Sequence, residues 1–480
     1  MKSLNNSIIA ISVALTGFAF LNIFCIHNGY FWDNIQQTSI EAHWFYLNNF
    51  STLLMPSMDS GAEIVATGYH PPLMGIMTAI LWKVFGYSLW VSHIFIFMWA
   101  ILLIVNVWKI VQILVPEKYQ YWVFSIVLLE PTVLSQFAIA SPDFILFTSF
   151  IICLRGLIEK KTWILGIGFF FLCCVNMRGV FAGAILILIN YYSHYLENRK
   201  DLSIRSVSSV IMPYLPTLIV LAAYFTYYLI ARGWFFSQSP ENGHYSTPKS
   251  LLRVITHLAE FGLRSIENGR ILIWGFAAFL GVITYKSKFT LSNHSKIIAA
   301  NFILLLSLYL LFVLITQMPF AARYFLPQFF LLSILTAKGL IKYFEPRKVR
   351  FIFLLIIFFE LTGNFWIYPD KIAKSWDCTL AHLPFYELRD QCFDYIDAQK
   401  LDYKDISAGF CLYGNRRYVE LKNNGKIVGE TTNCKYFIFS NISNVEDEFA
   451  ESLNDVHRWV PMKSFRSGLV YITIYKHIKL

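Results

Sequence analysis

The sequence predicts a polytopic α-helical membrane protein, and both its composition and the lengths of its apolar stretches support this fold class. Of the 480 residues, 56% are hydrophobic and only 15% are charged, and the mean hydropathy is +0.52. Soluble domains are about half apolar and about a quarter charged. We find about eleven apolar stretches, several of them close to the roughly 20 residues that a spanning helix requires. They are too continuously apolar to be the alternating strands of a membrane barrel.

Each predicted span is an apolar segment bounded by polar residues. The first follows Lys2 and is long for a signal-peptide core, and no small-residue cleavage pattern follows it, so we interpret it as a retained helix. Residues 71–86 are apolar but too short to span comfortably, which predicts a helix lying at the outer membrane surface. The predicted spans are residues 8–27, 88–113, 121–139, 143–158, 162–177, 179–195, 207–231, 270–285, 297–315, 324–342 and 351–367.

Lysine and arginine alternate between the predicted loops, and this bias predicts the orientation of the chain. Loops on the side of the N-terminus hold several basic residues each, whereas the short loops on the other side hold only Arg178 and Arg323. The N-terminus is therefore predicted to be cytoplasmic, in a multi-pass protein of the cytoplasmic (inner) membrane. The net charge of +10 and the pI near 9.0 agree with this loop bias. No basic run or RNA-binding motif suggests a nucleic-acid partner.

The sequence predicts two domains. Residues 1–367 form the transmembrane domain, whose first outer loop, residues 28–87, is the candidate catalytic loop. Residues 368–480 are more polar, and alternating segments at 435–439 and 469–475 predict strands. An odd number of spans places this C-terminal α+β domain outside the cytoplasm.

Cysteines in the C-terminal domain leave two alternatives open. An even number of cysteines in a small extracytoplasmic domain favours two disulfides, with three possible pairings. The other alternative is free buried thiols. The cysteines concerned are Cys378, Cys392, Cys411 and Cys434.

Acidic residues are scarce, so those predicted near the outer face are candidates for chemistry. Asp33 directly follows the first span, at the membrane surface, where a carboxylate can act as general base on an acceptor hydroxyl. A solvated loop acid or a helix N-cap explains it equally simply. Asp59 lies in a turn-like sequence, and Asp143 begins a span, where N-capping also accounts for it.

Candidate cations are predicted at the same face. His70 precedes two prolines, and Arg178 and Arg323 lie in short outer loops. Arginine suits a bidentate contact with phosphate, although extension of the side chain towards lipid headgroups is the alternative. Acids and cations collected at one face are typical of a site that holds a charged headgroup between membrane and water. Glu130 and Glu360 are predicted within spans, and the sequence offers a partner for neither.

Several short motifs resemble the protein O-mannosyltransferase and aminoarabinose-transferase group of GT-C glycosyltransferases. The order and spacing of these motifs are more specific than any one of them, and they cover about residues 7–367. Asn34 stands where many relatives have a second acid, and His70 where the aminoarabinose branch has lysine. The motifs are Tyr69-His70-Pro71-Pro72-Leu73 followed by Phe85-Gly86, then Ser141-Pro142-Asp143, Met177-Arg178-Gly179 and Arg323-Tyr324-Phe325-Leu326-Pro327.

The resemblance implies an inverting glycosyltransferase that moves a hexose or pentose from a polyprenyl-phosphate donor to an acceptor outside the cytoplasmic membrane. The acceptor is a glycan, a lipid or a protein. The resemblance places the general base at Asp33, with Asp59 as the other option. It assigns the donor phosphate to His70, Arg178, Arg323 and Tyr324, with Tyr69, Asp59 and Asp143 in support.

Two other functions stay open at this point. A transporter or flippase of lipid-linked glycans would explain the spans and the outer cations, and it predicts polar groups deep in several helices. A non-catalytic partner in envelope assembly would use the C-terminal domain for binding. No residue is assigned to a metal, and the sequence leaves the cofactor unknown, with a divalent metal among the options.

Overall fold

The structure, a computed structural model, describes residues 2–53, 70–197, 204–233, 250–286, 292–316, 320–366, 375–422 and 426–478. Helices dominate as far as residue 363. Their bounds are α1 Lys2–Cys25, α2 Glu41–Leu47, α3 Leu73–Phe85, α4 Leu89–Leu114, α5 Gln120–Leu128, α6 Pro131–Ala138, α7 Pro142–Glu159, α8 Thr162–Val175, α9 Met177–Glu197, α10 Ile204–Ile211, α11 Leu215–Arg232, α12 Leu251–Ile266, α13 Ile271–Lys286, α14 Asn293–Ile315, α15 Leu326–Tyr343 and α16 Pro346–Gly363.

The observed helices follow the predicted spans closely, with breaks at prolines. The predicted span 121–139 is divided into α5 and α6, which are bent by 53° where Pro131 begins the second helix. Proline lacks the N–H that would continue the preceding helix. Pro213 separates α10 from α11 in the same way. The predicted surface helix is present as α3, whereas α12 was not predicted.

Four helices in the described ranges are long and apolar enough to cross a membrane, or up to six if each bent pair is one span. One of the bent pairs is α5–α6, and the other is α12–α13, with a bend of 98°. Several further apolar helices are shorter than 18 residues. The predicted number of about eleven spans therefore stays a prediction.

After the last apolar helix the chain forms a small α+β region. Its sheet has the strand order β1-β4-β6-β5, in which β1 pairs parallel to β4 and the other pairs are antiparallel. Both predicted strands are present, as β4 and β6. The elements are α17 Phe385–Ala398, β1 Ile406–Ala408, β2 Gly414–Asn415, α18 Arg417–Glu420, β3 Ile427–Val428, β4 Tyr436–Ser440, α19 Asp447–Ser452, β5 Trp459–Ser467 and β6 Val470–His477.

A hydrophobic core joins the first outer loop to the C-terminal region. Phe31 and Phe45 from the loop and Trp82 from α3 belong to the same buried cluster as Phe385 and Ile472. The transmembrane helices have a separate core. Because burial of apolar surface is the main stabilising force, the outer loop and the C-terminal region stabilise each other. The predicted domain boundary at residues 367 and 368 stays a prediction.

All eight cysteines are free and buried. The predicted disulfides are therefore wrong, and the alternative of free thiols holds. Cys392 and Cys411 lie in the core shared with the outer loop, whereas Cys434 lies in a separate cluster with Trp459. Cys434 thus lies in a different cluster from Cys392 and Cys411.

Candidate active site

Asp33 lies near the start of the first outer loop, after α1, in a segment with unusual backbone conformation. Trp32 has a φ of 56°, which non-glycine residues adopt rarely. The π-helix Ile35–Ile40 follows, a form that is frequent at functional sites. The carbonyl of Asp33 accepts hydrogen bonds from the backbone N–H groups of Gln36 and Gln37 at 3.1 and 2.8 Å. Its side chain remains 34% exposed, although its sequence neighbours are buried, so this backbone presents one carboxylate to solvent.

The guanidinium of Arg323 pairs with three carboxylates that are distant in the sequence. Arg323 lies in the 3-10 turn Ala322–Phe325, directly before α15. It donates through Nη2 to Asp33 Oδ2 and through Nη1 to Asp377 Oδ2. Its Nε lies 3.0 Å from Asp143 Oδ2. The arginine is only 6% exposed, and a charge so buried needs nearby opposite charges to offset its lost hydration.

Arg178 joins the same cluster through Asp143. Its Nη2 lies 2.6 Å from Asp143 Oδ1, so this carboxylate bridges the two arginines. The ring of Tyr324 contacts both cations: its centroid is 3.9 Å from Cζ of Arg178 and 5.2 Å from Cζ of Arg323. We call Asp33, Asp143, Arg178, Arg323 and Asp377 the charged cluster. It contains one more carboxylate than guanidinium groups.

His70 lies beside the charged cluster but does not contribute the positive charge predicted for it. Its Nδ1 accepts a hydrogen bond from the backbone N–H of Met177 at 3.3 Å, and its carbonyl accepts one from Tyr224 Oη at 3.0 Å. Burial, with the nearby charge of Arg178, lowers the pKa of His70 to about 3. At neutral pH it is therefore an uncharged acceptor that holds the start of α9, the helix carrying Arg178.

Asp377 is the member of the charged cluster that the sequence analysis missed. Ser135 Oγ and Gln136 Nε2 on α6 each donate to its backbone carbonyl at 2.7 Å. These contacts fix the first turn of the C-terminal region against the membrane helices and direct its carboxylate towards Arg323. The only sequence feature that could have indicated Asp377 is that it is an acidic residue in the polar segment after the last predicted span.

A second ion pair lies behind the charged cluster and supports it. Arg270 and Glu130 are fully buried, with Nη2 and Oε1 2.7 Å apart. Glu130 also caps α6 by accepting from the backbone N–H of Val133 at 2.8 Å. Arg270 donates to the carbonyl of Ala322 at 3.0 Å, one residue before Arg323. The pair, which we call the buried bracket, therefore ties α6 to the turn that carries Arg323.

The buried bracket supplies the partner of Glu130 that the sequence could not identify. Glu360, the other predicted intramembrane acid, is fully buried on α16. Neither of its carboxylate oxygens has a hydrogen-bond partner in the part of the chain that the structure describes. It is close enough to Glu130 and Arg270 to interact electrostatically with both.

Two predicted site residues, Asp59 and Tyr69, lie outside the described residues. The structure brings Asp33, Asp143, Arg178, Arg323 and Tyr324 together, with His70 alongside. Within the described ranges, no group of three or more His, Cys, Asp or Glu side chains is arranged to hold a metal ion. The roles of the site residues stay predictions.

Two solved structures match nearly the whole chain, although no family profile and no curated protein sequence does. One is ArnT from Cupriavidus metallidurans bound to undecaprenyl phosphate, with 12% identity, a TM-score of 0.52 and coverage of 97% of each chain. The other is ArnT from Cupriavidus metallidurans in the apo state, with 11% identity and a TM-score of 0.52. It covers 99% of this chain and 98% of that chain.

The fold therefore resembles that of ArnT, with a helical part that contains candidate membrane spans and a strand-containing C-terminal region. This confirms the predicted fold class. ArnT is an aminoarabinose transferase, one of the group of GT-C glycosyltransferases that the sequence motifs resemble. At 11–12% identity the shared property is the fold, and the activity has to be inferred from the site.

Proposed function

We propose that this protein transfers a sugar from a polyprenyl-phosphate donor to an acceptor at the outer surface of the cytoplasmic membrane. The observation that carries the proposal is the Asp33–Arg323 pair, in which a buried guanidinium holds a partly exposed carboxylate. The pair lies where α1 ends and α15 begins, so the lipid tail of a donor can stay among apolar helices while its sugar reaches water. The ArnT structure bound to undecaprenyl phosphate has the same fold and supports this class of donor.

Asp33 is the general base of the proposed reaction. The acceptor hydroxyl gives its proton to the Asp33 carboxylate while its oxygen forms a bond to the anomeric carbon. The bond between that carbon and the phosphate oxygen breaks, and its electron pair leaves with the polyprenyl phosphate. One displacement inverts the anomeric centre. Arg323 holds Oδ2 of Asp33, and we assign the proton to Oδ1.

We assign different roles to Arg178 and Arg323. Three carboxylates already surround Arg323, so its proposed role is to orient Asp33 and to join the C-terminal region to the site. Arg178 pairs with Asp143 alone among the acids of the charged cluster, and a guanidinium has five N–H donors. We therefore assign the leaving phosphate to Arg178, with Tyr324 stacked on its guanidinium.

The test is transfer by the purified full-length protein from an undecaprenyl-phosphate-linked sugar, together with mass spectrometry of envelope glycans from cells with and without the protein. Asp33→Asn should lower the transfer rate by about 10²–10⁴-fold, because loss of a general base costs this much. Protein level and thermal stability should not change, since the side chain is partly exposed and asparagine can still accept from Arg323.

A matched control is Asp405→Asn, which removes an exposed carboxylate paired with Lys435 in the C-terminal region. It should transfer at the wild-type rate. If Asp33→Asn transfers as fast as Asp405→Asn, Asp33 is not the base. A non-catalytic partner would keep its function in Asp33→Asn. Neither it nor a transporter would transfer sugar in the assay with the purified wild-type protein.

A further inference from the structure

A cavity of about 790 Å³ lies at the end of the helices remote from Asp33. It is lined by Leu114 at the end of α4 and by Tyr343 at the end of α15. Arg323 directly precedes the opposite end of α15. With a rise of 1.5 Å per residue, the α15 residues that line the cavity lie roughly 14–30 Å along the helix axis from Arg323. It is therefore separate from the candidate active site.

The walls of this distal cavity are mostly apolar and come from several helices. Trp274 of α13, Phe302 and Ile303 of α14, and Leu332 and Leu335 of α15 line it. These helices belong to the set that is long or apolar enough to lie within a membrane. An apolar cleft between membrane helices offers a binding surface for a hydrocarbon chain.

The mouth of the distal cavity carries positive charge. Lys338 and Lys342 on the last turns of α15 line it. Ser292 and Ser295, at the start of α14, line it as well. Ser292 is the N-cap of that helix, so the unpaired N–H groups and the positive dipole end of α14 face the same region. Helix N-termini and lysines both attract phosphate.

A buried hydroxyl without a partner gives an independent sign of a ligand. Thr336 lines the cavity and is 3% exposed, yet its Oγ1 has no hydrogen-bond partner among the described groups. Buried polar atoms are almost always satisfied. Thr336 lies six residues before Lys342, which places it about 9 Å deeper along the helix. A ligand with a phosphate at the mouth of the cavity would pair with the lysines. A hydrogen-bond acceptor deeper in the same ligand would pair with the Thr336 hydroxyl.

We propose that the distal cavity binds an anionic glycerophospholipid of the surrounding membrane. Its phosphate lies between Lys338, Lys342 and the start of α14, an ester carbonyl accepts from Thr336, and an acyl chain covers the apolar wall. A free phosphate would leave the wall and Thr336 unused, and a zwitterionic lipid would bring its own cation to the lysines. The loop charges predict that this end is cytoplasmic, where basic pockets between helices bind anionic headgroups.

Native mass spectrometry of the full-length protein in detergent tests this proposal. The probes are 1-palmitoyl-2-oleoyl phosphatidylglycerol and the corresponding phosphatidylcholine, added at equal concentrations. The wild-type protein should retain phosphatidylglycerol in preference to phosphatidylcholine. Lys338→Gln/Lys342→Gln should weaken phosphatidylglycerol binding by about tenfold, because each basic residue near an anionic headgroup contributes severalfold.

The matched control is Arg347→Gln/Lys348→Gln, which removes the same charge from the exposed start of α16, outside the cavity lining. It should leave phosphatidylglycerol binding unchanged. Ala278→Trp is a second test variant, which keeps both lysines but fills the cavity with a larger side chain. It should abolish the retention of phosphatidylglycerol. Thermal unfolding checks that each variant is folded.

Three outcomes would overturn the proposal. Equal retention of the two phospholipids by the wild-type protein would show that the phosphate is not recognised. Equal loss of phosphatidylglycerol in the lysine variant and its control would place the lipid elsewhere. Retention of added undecaprenyl phosphate that depends on the two lysines, without any such dependence for phosphatidylglycerol, would assign the cavity to a prenyl phosphate. None of these measurements depends on sugar transfer.

Discussion

The charged cluster and the buried bracket are built from the same kinds of side chain but differ in their contact with solvent. In the bracket, Arg270 and Glu130 are both fully buried, and their contacts cap α6 and tie it to the turn that carries Arg323. In the cluster, Arg323 is also buried, with 6% of its side chain exposed, but its partner Asp33 is 34% exposed. An ion pair closed on all sides can only stabilise a structure, whereas one with an exposed carboxylate can also accept a proton.

The difference also shows how the site is preorganised. The bracket holds the carbonyl of Ala322, and the next residue, Arg323, holds Asp33 and Asp377. The position of the proposed base therefore depends on a chain of contacts that begins in the membrane core. Such rigid support lowers the reorganisation needed during the reaction. Substitutions in the two regions should therefore affect different quantities.

The largest effect on stability is expected in the buried bracket. Arg270→Gln should lower the free energy of unfolding by about 3–5 kcal/mol, because it leaves the carboxylate of Glu130 buried and uncompensated. Thermal unfolding of the purified protein in detergent measures this change. The double variant Glu130→Gln/Arg270→Gln should recover part of the loss. A single variant as stable as the wild type would show that the bracket does not support the fold.

Arg323→Lys should affect the reaction more than the fold. Lysine keeps the positive charge but lacks the planar fork that meets three carboxylates at once. Misplacement of a catalytic group by about 1 Å can lower a rate by about 10²-fold, and we expect a loss of that size in kcat. Steady-state transfer assays provide the measurement. A rise in KM alone would instead assign Arg323 to donor binding and reverse the roles proposed for the two arginines.

Asp377→Asn should have a smaller effect on both quantities. It removes one of the three carboxylates around Arg323 and weakens the link between the C-terminal region and the membrane helices. We expect a loss of about 1–3 kcal/mol in unfolding free energy, the size typical of an impaired buried hydrogen bond. Thermal unfolding together with limited proteolysis of the C-terminal region measures it. Wild-type stability would show that the backbone contacts from α6 suffice.

The last expected effect concerns pH and accumulates over more than two pH units. His382 is buried and stacks on Phe31 with 4.9 Å between ring centroids, and its Nδ1–H donates a hydrogen bond to the Thr379 carbonyl oxygen at 2.6 Å. Burial lowers the pKa of His382 to about 4. The unfolded chain, with a pKa near 6.5 for histidine, therefore binds a proton more readily than the folded chain below that pH. Stability from this residue is complete above pH 6.5 and is lost as the pH falls towards 4.

Between these pH values the loss should approach about 1.4 kcal/mol per pH unit. Thermal unfolding from pH 7 to pH 4 measures it, with His382→Asn as the comparison, because asparagine keeps a donor near the position of Nδ1. The variant should lose less stability over this range than the wild type. Parallel pH curves for the two proteins would show that other groups cause the decline.

Local sequence alone determined where most of the helices lie and which charged residues are near their ends. The ends of α4, α7 and α15 agree with the predicted spans to within a few residues, because the length of an apolar run is a local property. Asp33, Asp143, Arg178 and Arg323 were predictable as neighbours of those ends. The strands β4 and β6 follow from alternating residues in the same way.

Only the tertiary structure decided which of these charged residues form ion pairs and which residues support those pairs. Asp33 and Arg323 are 290 positions apart, and Glu130 and Arg270 are 140 apart. Asp377 enters the cluster because α6 holds its backbone, and the C-terminal cysteines form no disulfide in the structure. Ion pairs depend on distances between side chains in space. These distances are set when the helices pack, and local sequence patterns do not specify them.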